Sequence, residues 1–219
     1  MKKAFIFDVD GTILNSMVIW VDAGKRYLEK MGVHIDYDLG RIMFELTMLE
    51  GAKYLKERHH LANSIEDIMS GINGMVYDFY RDEAVPKENV LKFIEYAYAQ
   101  GIEMTVATST DRPMIETAFN RLGLMKYFKE IFTTSEVGQG KDKPEIFYRA
   151  MKTMGSSPED TWLFDDALYS LRTAHKAGIK TVGIYDFSSD VDTEKIKEIV
   201  DIYVRDWNEY ENVISRIGF

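Results

Sequence analysis

Two carboxylates one residue apart make Asp8-Val9-Asp10-Gly11-Thr12 the first stretch of this chain able to do chemistry. Side chains this close repel unless a cation lies between them, and hard oxygen ligands of this kind suit Mg2+. Gly11 allows a sharp turn and Thr12 offers a hydroxyl. A solvated acidic turn has the same composition, because aspartate and glycine are common in turns. Three more clusters follow in order. Thr108-Ser109 offers a hydroxyl and backbone N–H groups ahead of a helix, which suits an anion and equally a helix cap. Gly140-Lys141-Asp142-Lys143-Pro144 is a basic loop ahead of another helix, or a pair of solvated lysines. Leu163-Phe164-Asp165-Asp166 ends in a second acidic pair, able to complete a metal site or to cap the next segment.

The elements that must position these clusters are legible in the apolar pattern. Ala4-Phe5-Ile6-Phe7 is short and continuous rather than alternating, as suits a strand buried on both faces. Similar runs recur over 103–107, 130–133, 161–164 and 180–185, with a weaker one over 202–204. Helical patterns over 89–99, 112–122, 144–154 and 170–177 separate them, each with a glycine where the helix would stop. Strand and helix in alternation predict a parallel sheet with helices on both faces. The catalytic candidates then follow strands, at the end where open α/β sheets bind ligands.

One segment breaks the alternation. Between the first strand and Pro86 the pattern is helical, over 16–31, 38–58 and 64–80, with Ser64 and Asp67 spaced as a helix-start pair. The expected fold class is α/β: a Rossmann-like parallel sheet core formed by 1–15 and 86–219, with an inserted helical cap domain over 16–85.

Composition narrows the partners. The chain has 219 residues, no cysteine and a net charge of -9. The missing cysteines exclude a disulfide framework, a thiolate metal site and a cysteine nucleophile. The acidic balance disfavours nucleic acid and anionic membrane. The apolar run after Lys2-Lys3 is too short for a signal peptide, and no stretch approaches the roughly 20 apolar residues of a membrane span. A cytoplasmic protein, monomer or weak homodimer, is expected. A phosphorylated ligand, being an anion, would need positive charge inside this acidic protein.

Taken together, the four clusters resemble the motifs of the haloacid dehalogenase superfamily: an Asp-x-Asp-Gly-Thr loop, a Ser or Thr, a Lys, and an acidic pair, each after a strand of one Rossmann-like sheet. The resemblance covers nearly the whole chain. Pro144-Glu145-Ile146-Phe147 is similar to the family's Pro-Asp-Ile-Phe, and the helical insert to its first kind of cap. The resemblance implies a Mg2+-dependent phosphatase for a small phosphorylated metabolite, such as a sugar phosphate or phosphoglycolate. It implies Asp8 as the nucleophile that forms an aspartyl-phosphate, ionised at pH 7 without a base, and Asp10 as general acid and base. Gly11, Thr12, Thr108, Ser109 and Lys141 would bind the phosphoryl group. Asp8, the Asp10 carbonyl and Asp166 would hold the metal, with Asp165 a further ligand through water or an orienting group.

Two positions depart from or blur the pattern. Asn15 stands where the family often has Asp, and Lys143 competes with Lys141, whose spacing from Phe147 is the better match. A phosphomutase resembling β-phosphoglucomutase is the alternative, though the stretch 15–20 lacks the histidine that such a cap supplies. A phosphonate hydrolase would need a cap lysine, for which Lys53 and Lys56 are available. A non-enzymatic ligand-binding relative is the third reading. In the insert, Met17, Trp20, Arg41, Lys53 and Arg58 are candidate substrate contacts, and His59-His60 is expected at the surface.

Overall fold

The computed structural model describes residues 3–44 and 46–219, without the side chain of Phe44. Six strands form one sheet: β1 (Ala4–Phe7), β2 (Glu103–Thr108), β3 (Ile131–Thr133), β4 (Thr161–Asp165), β5 (Lys180–Ile184) and β6 (Ile202–Val204). Their order is β3-β2-β1-β4-β5-β6 and every pairing is parallel. From β1 the chain builds outward one way through β2 and β3, then returns to build the other way through β4, β5 and β6. The strand order therefore reverses at β1 and β4, and it is outside the C-terminal ends of strands at such a reversal that open α/β sheets bind ligands.

By contacts the chain divides into two compact units. One comprises the described residues up to Asn15 together with Val85–Phe219, and the other is Ser16–Ala84. The smaller unit holds α1 (Met17–Lys30), α2 (Leu39–Phe44), α3 (Met48–His59) and α4 (Ile65–Asp82), and no strand among its described residues. Where the pattern predicts one helix over 38–58, two form. Thr47 takes an extended backbone and caps α3, its hydroxyl accepting from Glu50 N while the Glu50 carboxylate returns to Thr47 N. That reciprocal cap starts a new helix and outweighs the continuous apolar pattern. Glu45, inside the predicted helix, lies outside the described residues, as do Met1 and Lys2. Ser64 and Asp67 form the expected capping box at the start of α4. His60 is exposed, but His59 is not simply at the surface: it is half-buried, stacked on Tyr37 at 6.2 Å and hydrogen-bonded to its hydroxyl at 2.9 Å. Arg58 lies over the same ring, and Arg41 and Lys53 are exposed within their own unit.

In the larger unit follow α5 (Val90–Ala99), α6 (Arg112–Leu122), α7 (Thr134–Val137), α8 (Glu145–Met154), α9 (Leu168–Lys176), α10 (Thr193–Ile199) and α11 (Tyr210–Ile217). Alternation along β1 explains the layers, since successive side chains of a strand point to opposite faces. Phe5 and Phe7 enter an aromatic layer: Phe7 stacks on Phe164 at 4.5 Å and Phe5 on Phe93 of α5 at 5.9 Å. Ala4 and Ile6 enter the opposite core with Leu163 and with Ile146, Phe147 and Ala150 of α8. Both faces are thus covered, which is why β1 carries no polar alternation. Among the described residues no helix is long and apolar enough to cross a membrane.

Candidate active site

Sheet register brings the first and last motifs together. Phe7 pairs with Phe164, and Asp8 N extends the ladder by donating to Phe164 O at 2.9 Å. Asp8 thereby comes level with Asp165 on the neighbouring strand. Lys141, from the loop before α8, closes the group: its Nζ donates to Asp8 Oδ1 at 2.6 Å and to Asp165 Oδ2 at 2.8 Å. Asp8, Lys141, Asp165 and Asp166 are all buried, at 4, 2, 0 and 6% exposure. Lys143 is exposed, so the structure brings Lys141 and not Lys143 to the acids.

The two members of the acidic pair differ in their partners. Asp165 has both oxygens engaged: Oδ2 also accepts from Ser170 Oγ at 2.6 Å and Oδ1 from Ala167 N at 2.9 Å. Asp166 packs against the Asp8–Thr12 turn. Gly11 has φ +81°, and a Cβ placed on it would lie 2.7 Å from Asp166 Oδ2, so only glycine fits both the backbone and the space.

These carboxylates suit a divalent cation. Oxygens of Asp8, Asp165 and Asp166 lie within 4.8 Å of one another. Asp8 Oδ2 is buried without a hydrogen-bond partner. Three carboxylates against the one ammonium of Lys141 leave two negative charges, the number that a divalent cation balances.

The electrostatics agree. Burial, opposed by Lys141 and assisted by Asp165 and Asp10, raises the Asp8 carboxyl to about 7. The expectation of an Asp8 fully ionised at pH 7 therefore fails for the protein's own charges alone, because desolvation penalises the charged form. Asp166 is driven well above the usual carboxylate range by burial and then by Asp8 and Asp165. Burial by itself would lower the Lys141 ammonium, but Asp165 and Asp8 outweigh it and hold it well above the ordinary lysine value.

On the other side of Asp8, Asp10 accepts a hydrogen bond from Thr110 Oγ1 at 2.7 Å. Thr108 Oγ1 accepts from Thr110 N at 3.1 Å, so Thr108 shapes this loop rather than capping a helix; α6 begins only at Arg112, after Asp111. Ser109 is exposed, and so is Tyr169, whose hydroxyl is pushed up by partial burial and pulled down by Lys141. Thr12 is buried, with no partner for Oγ1. Thr110, Tyr169 and Ser170 were not among the sequence candidates. Each adjoins a motif that was, and only the packing shows which hydroxyl reaches which carboxylate. Asp186, two residues past β5, was also missed, although an acid just beyond a buried strand is the same signal that singled out Asp8 and Asp165.

Comparison with known proteins agrees with this geometry. The family model for haloacid dehalogenase-like hydrolases matches residues 5–184. The chain belongs to this family. Similar members include a phosphorylated carbohydrates phosphatase of Thermotoga maritima, 26% identical over 82% of this chain and 83% of the relative. A glyceraldehyde 3-phosphate phosphatase of Methanocaldococcus jannaschii is 26% identical over 92% of this chain and 97% of the relative. A Thermotoga maritima crystal structure assigned provisionally as a beta-phosphoglucomutase shares the fold, with a TM-score of 0.87 at 24% identity over 98% of this chain and 99% of that one. Within the haloacid dehalogenase-like hydrolases the chain is a phosphoric monoester hydrolase.

Proposed function

We propose that this hydrolase acts on a small phosphorylated metabolite of the sugar-phosphate type, with Asp8 as nucleophile, Asp10 as proton shuttle and Mg2+ as cofactor. The observation that carries the reading is the buried Lys141 bridge between Asp8 and Asp165, which leaves Asp8 Oδ2 without a protein partner. The relatives named as phosphatases of phosphorylated carbohydrates and of glyceraldehyde 3-phosphate support the substrate class.

Asp8, the Asp10 carbonyl and Asp166 would hold Mg2+, and Asp165, with its oxygens engaged elsewhere, would orient Lys141. Bound there, the ion supplies positive charge toward the phosphoryl oxygens. Lys141, Thr108 and the Ser109 N–H share that task and relieve the conflict between an anionic substrate and an acidic protein. An Asp8 oxygen forms a bond to phosphorus as the ester P–O bond breaks, and Asp10 gives its proton to the departing oxygen. Asp10, now a carboxylate held by Thr110, takes a proton from water as the water oxygen attacks the phosphorus of the aspartyl-phosphate. The P–O bond to Asp8 breaks, and inorganic phosphate and free Asp8 result. The helical unit Ser16–Ala84 is then the cap that chooses among esters.

A panel of phosphate esters with Mg2+ tests this reading. Release of inorganic phosphate, stopped by EDTA, is expected. Conversion of a sugar 1-phosphate to the 6-phosphate without release would establish a mutase instead. No turnover of any ester would sink the enzymatic reading.

A further inference from the structure

We propose that Asp186, clamped by Lys87 and bridged by Ser188, is a positioning residue for Asp166. The inference rests on the reading that Asp166 holds Mg2+. Asp186 lies two residues beyond β5, at the same end of the sheet as Asp8 and Asp166, and is 3% exposed. The reaction gives it no task.

Three contacts tie it to the metal-binding arrangement. Two carboxylates meet over one side of Gly11: a Cβ there would lie 2.7 Å from Asp166 Oδ2 and 3.2 Å from Asp186 Cγ. Ser188 Oγ spans the same pair, donating to Asp186 Oδ1 at 2.8 Å with Asp166 Oδ2 at 3.5 Å. Lys87 Nζ meets Asp186 Oδ2 at 2.9 Å and donates to Tyr185 O at 2.7 Å, while Lys87 N donates to Ile13 O at 2.8 Å. Lys87 thus joins Asp186 to the backbone that continues the Asp8–Thr12 loop.

A turn cap alone does not account for this. The cap needs only the bond from Ser188 N to Asp186 Oδ1, which any solvated aspartate supplies. Here the carboxylate is withdrawn from water beside other buried acids and given its own lysine. Burying an ion pair brings little stability by itself, because the desolvation cost offsets the attraction. What the arrangement achieves is a wall. Asp186 stands beside Asp166 on the same side of Gly11, Ser188 Oγ bonds Asp186 and comes within 3.5 Å of Asp166 Oδ2, and Lys87 pairs with the Asp186 charge. Partners that orient a ligating carboxylate set its affinity for the metal.

The test is Mg2+ binding by titration calorimetry on the full chain, with thermal unfolding in EDTA alongside. Asp186→Asn is expected to weaken Mg2+ binding by about 10–100-fold. Ser188→Ala should shift affinity in the same direction by less, and saturating Mg2+ should restore kcat in both variants. Lower melting temperatures with unchanged Mg2+ affinity would make the cluster merely structural and overturn the inference. If Asp186→Asn does not fold, Ser188→Ala decides: unchanged affinity overturns, weakened affinity supports. A wild-type chain that binds no Mg2+ overturns both this inference and the metal reading beneath it, whereas a wild type that binds beside variants that bind equally well overturns this inference alone.

Discussion

Lys141 Nζ lies 2.6 Å from Asp8 Oδ1, with both residues buried and 133 positions apart in the chain. The bond joins the loop before α8 to the end of β1. It places the cation beside the proposed nucleophile, where it also meets Asp165. Lys141→Met therefore leaves buried acids without their counter-charge. It should destabilise the fold by about 3–5 kcal/mol, less whatever the acids recover by taking up protons. Turnover should fall about 10²–10³-fold, the usual cost of losing one electrostatic donor to the transition state. Denaturant unfolding and steady-state kinetics on the same preparation check both.

Asp8→Asn keeps the shape and removes the proposed nucleophile. Phosphate release should drop below detection while the fold persists. Because burial pushes Asp8 up to about 7, the neutral amide also relieves an electrostatic cost, so in EDTA this variant should melt no lower than wild type. Phosphate release at the wild-type rate would sink the mechanism.

The pH dependence follows from the same shift. The Asp8 carboxyl rises from its ordinary 3.8 to about 7 on folding, so between those values the folded chain keeps a proton that the unfolded chain releases. Stability must then fall as pH rises through this window. Below it both states are protonated and Asp8 contributes nothing; above it the penalty is complete. In EDTA the melting temperature should decline from pH 4 to pH 7, and Asp8→Asn should flatten part of that slope. Mg2+ requires the carboxylate, so its binding should tighten over the same window and release protons. Calorimetry in buffers of different ionisation heat measures that release.

Gly11→Ala tests the turn. Its φ of +81° disfavours any side chain, and the added methyl would meet Asp166 Oδ2. A loss of at least about 1–2 kcal/mol is expected from the backbone alone, together with weaker Mg2+ binding. An alanine variant with wild-type melting and affinity would refute the close packing of Asp166 and Asp186 over Gly11.

Thr110→Val removes the hydroxyl that Asp10 accepts at 2.7 Å. The expected effect is a fall in kcat of about tenfold, roughly one hydrogen bond to a charged group, with KM little changed. Thr110→Ser should recover most of the loss. A change confined to KM would assign Thr110 to ground-state binding.

Much of this was open to reading along the chain. Both faces of β1 are covered, so Ala4–Phe7 is continuously apolar, and the strand-end acids stand out against that background. Lys141 could be preferred to Lys143 by spacing from Phe147. The break in the helix predicted over 38–58 was harder to see, because the Thr47–Glu50 capping box interrupts an apolar pattern that continues through it. His59 and Tyr37 are 22 residues apart, and nothing local shows that they stack.

Residue types and their order along the chain determined the α/β alternation, the helical insert and the choice of Asp8, Asp10, Lys141, Asp165 and Asp166 as the proposed reactive groups. These are local properties: an apolar period, a strand end, a carboxylate or an ammonium in its loop. Tertiary structure alone decided their division of labour. It engaged both oxygens of Asp165 while leaving Asp8 Oδ2 without a partner, gave Asp10 its Thr110, and set Asp186 beside Asp166 over Gly11 with Lys87 as counter-charge. It also withdrew these acids from water, and so raised Asp8 and Asp166. Charge pairing and desolvation depend on distances between residues a hundred or more positions apart, and those distances exist only once β1 has paired with β4.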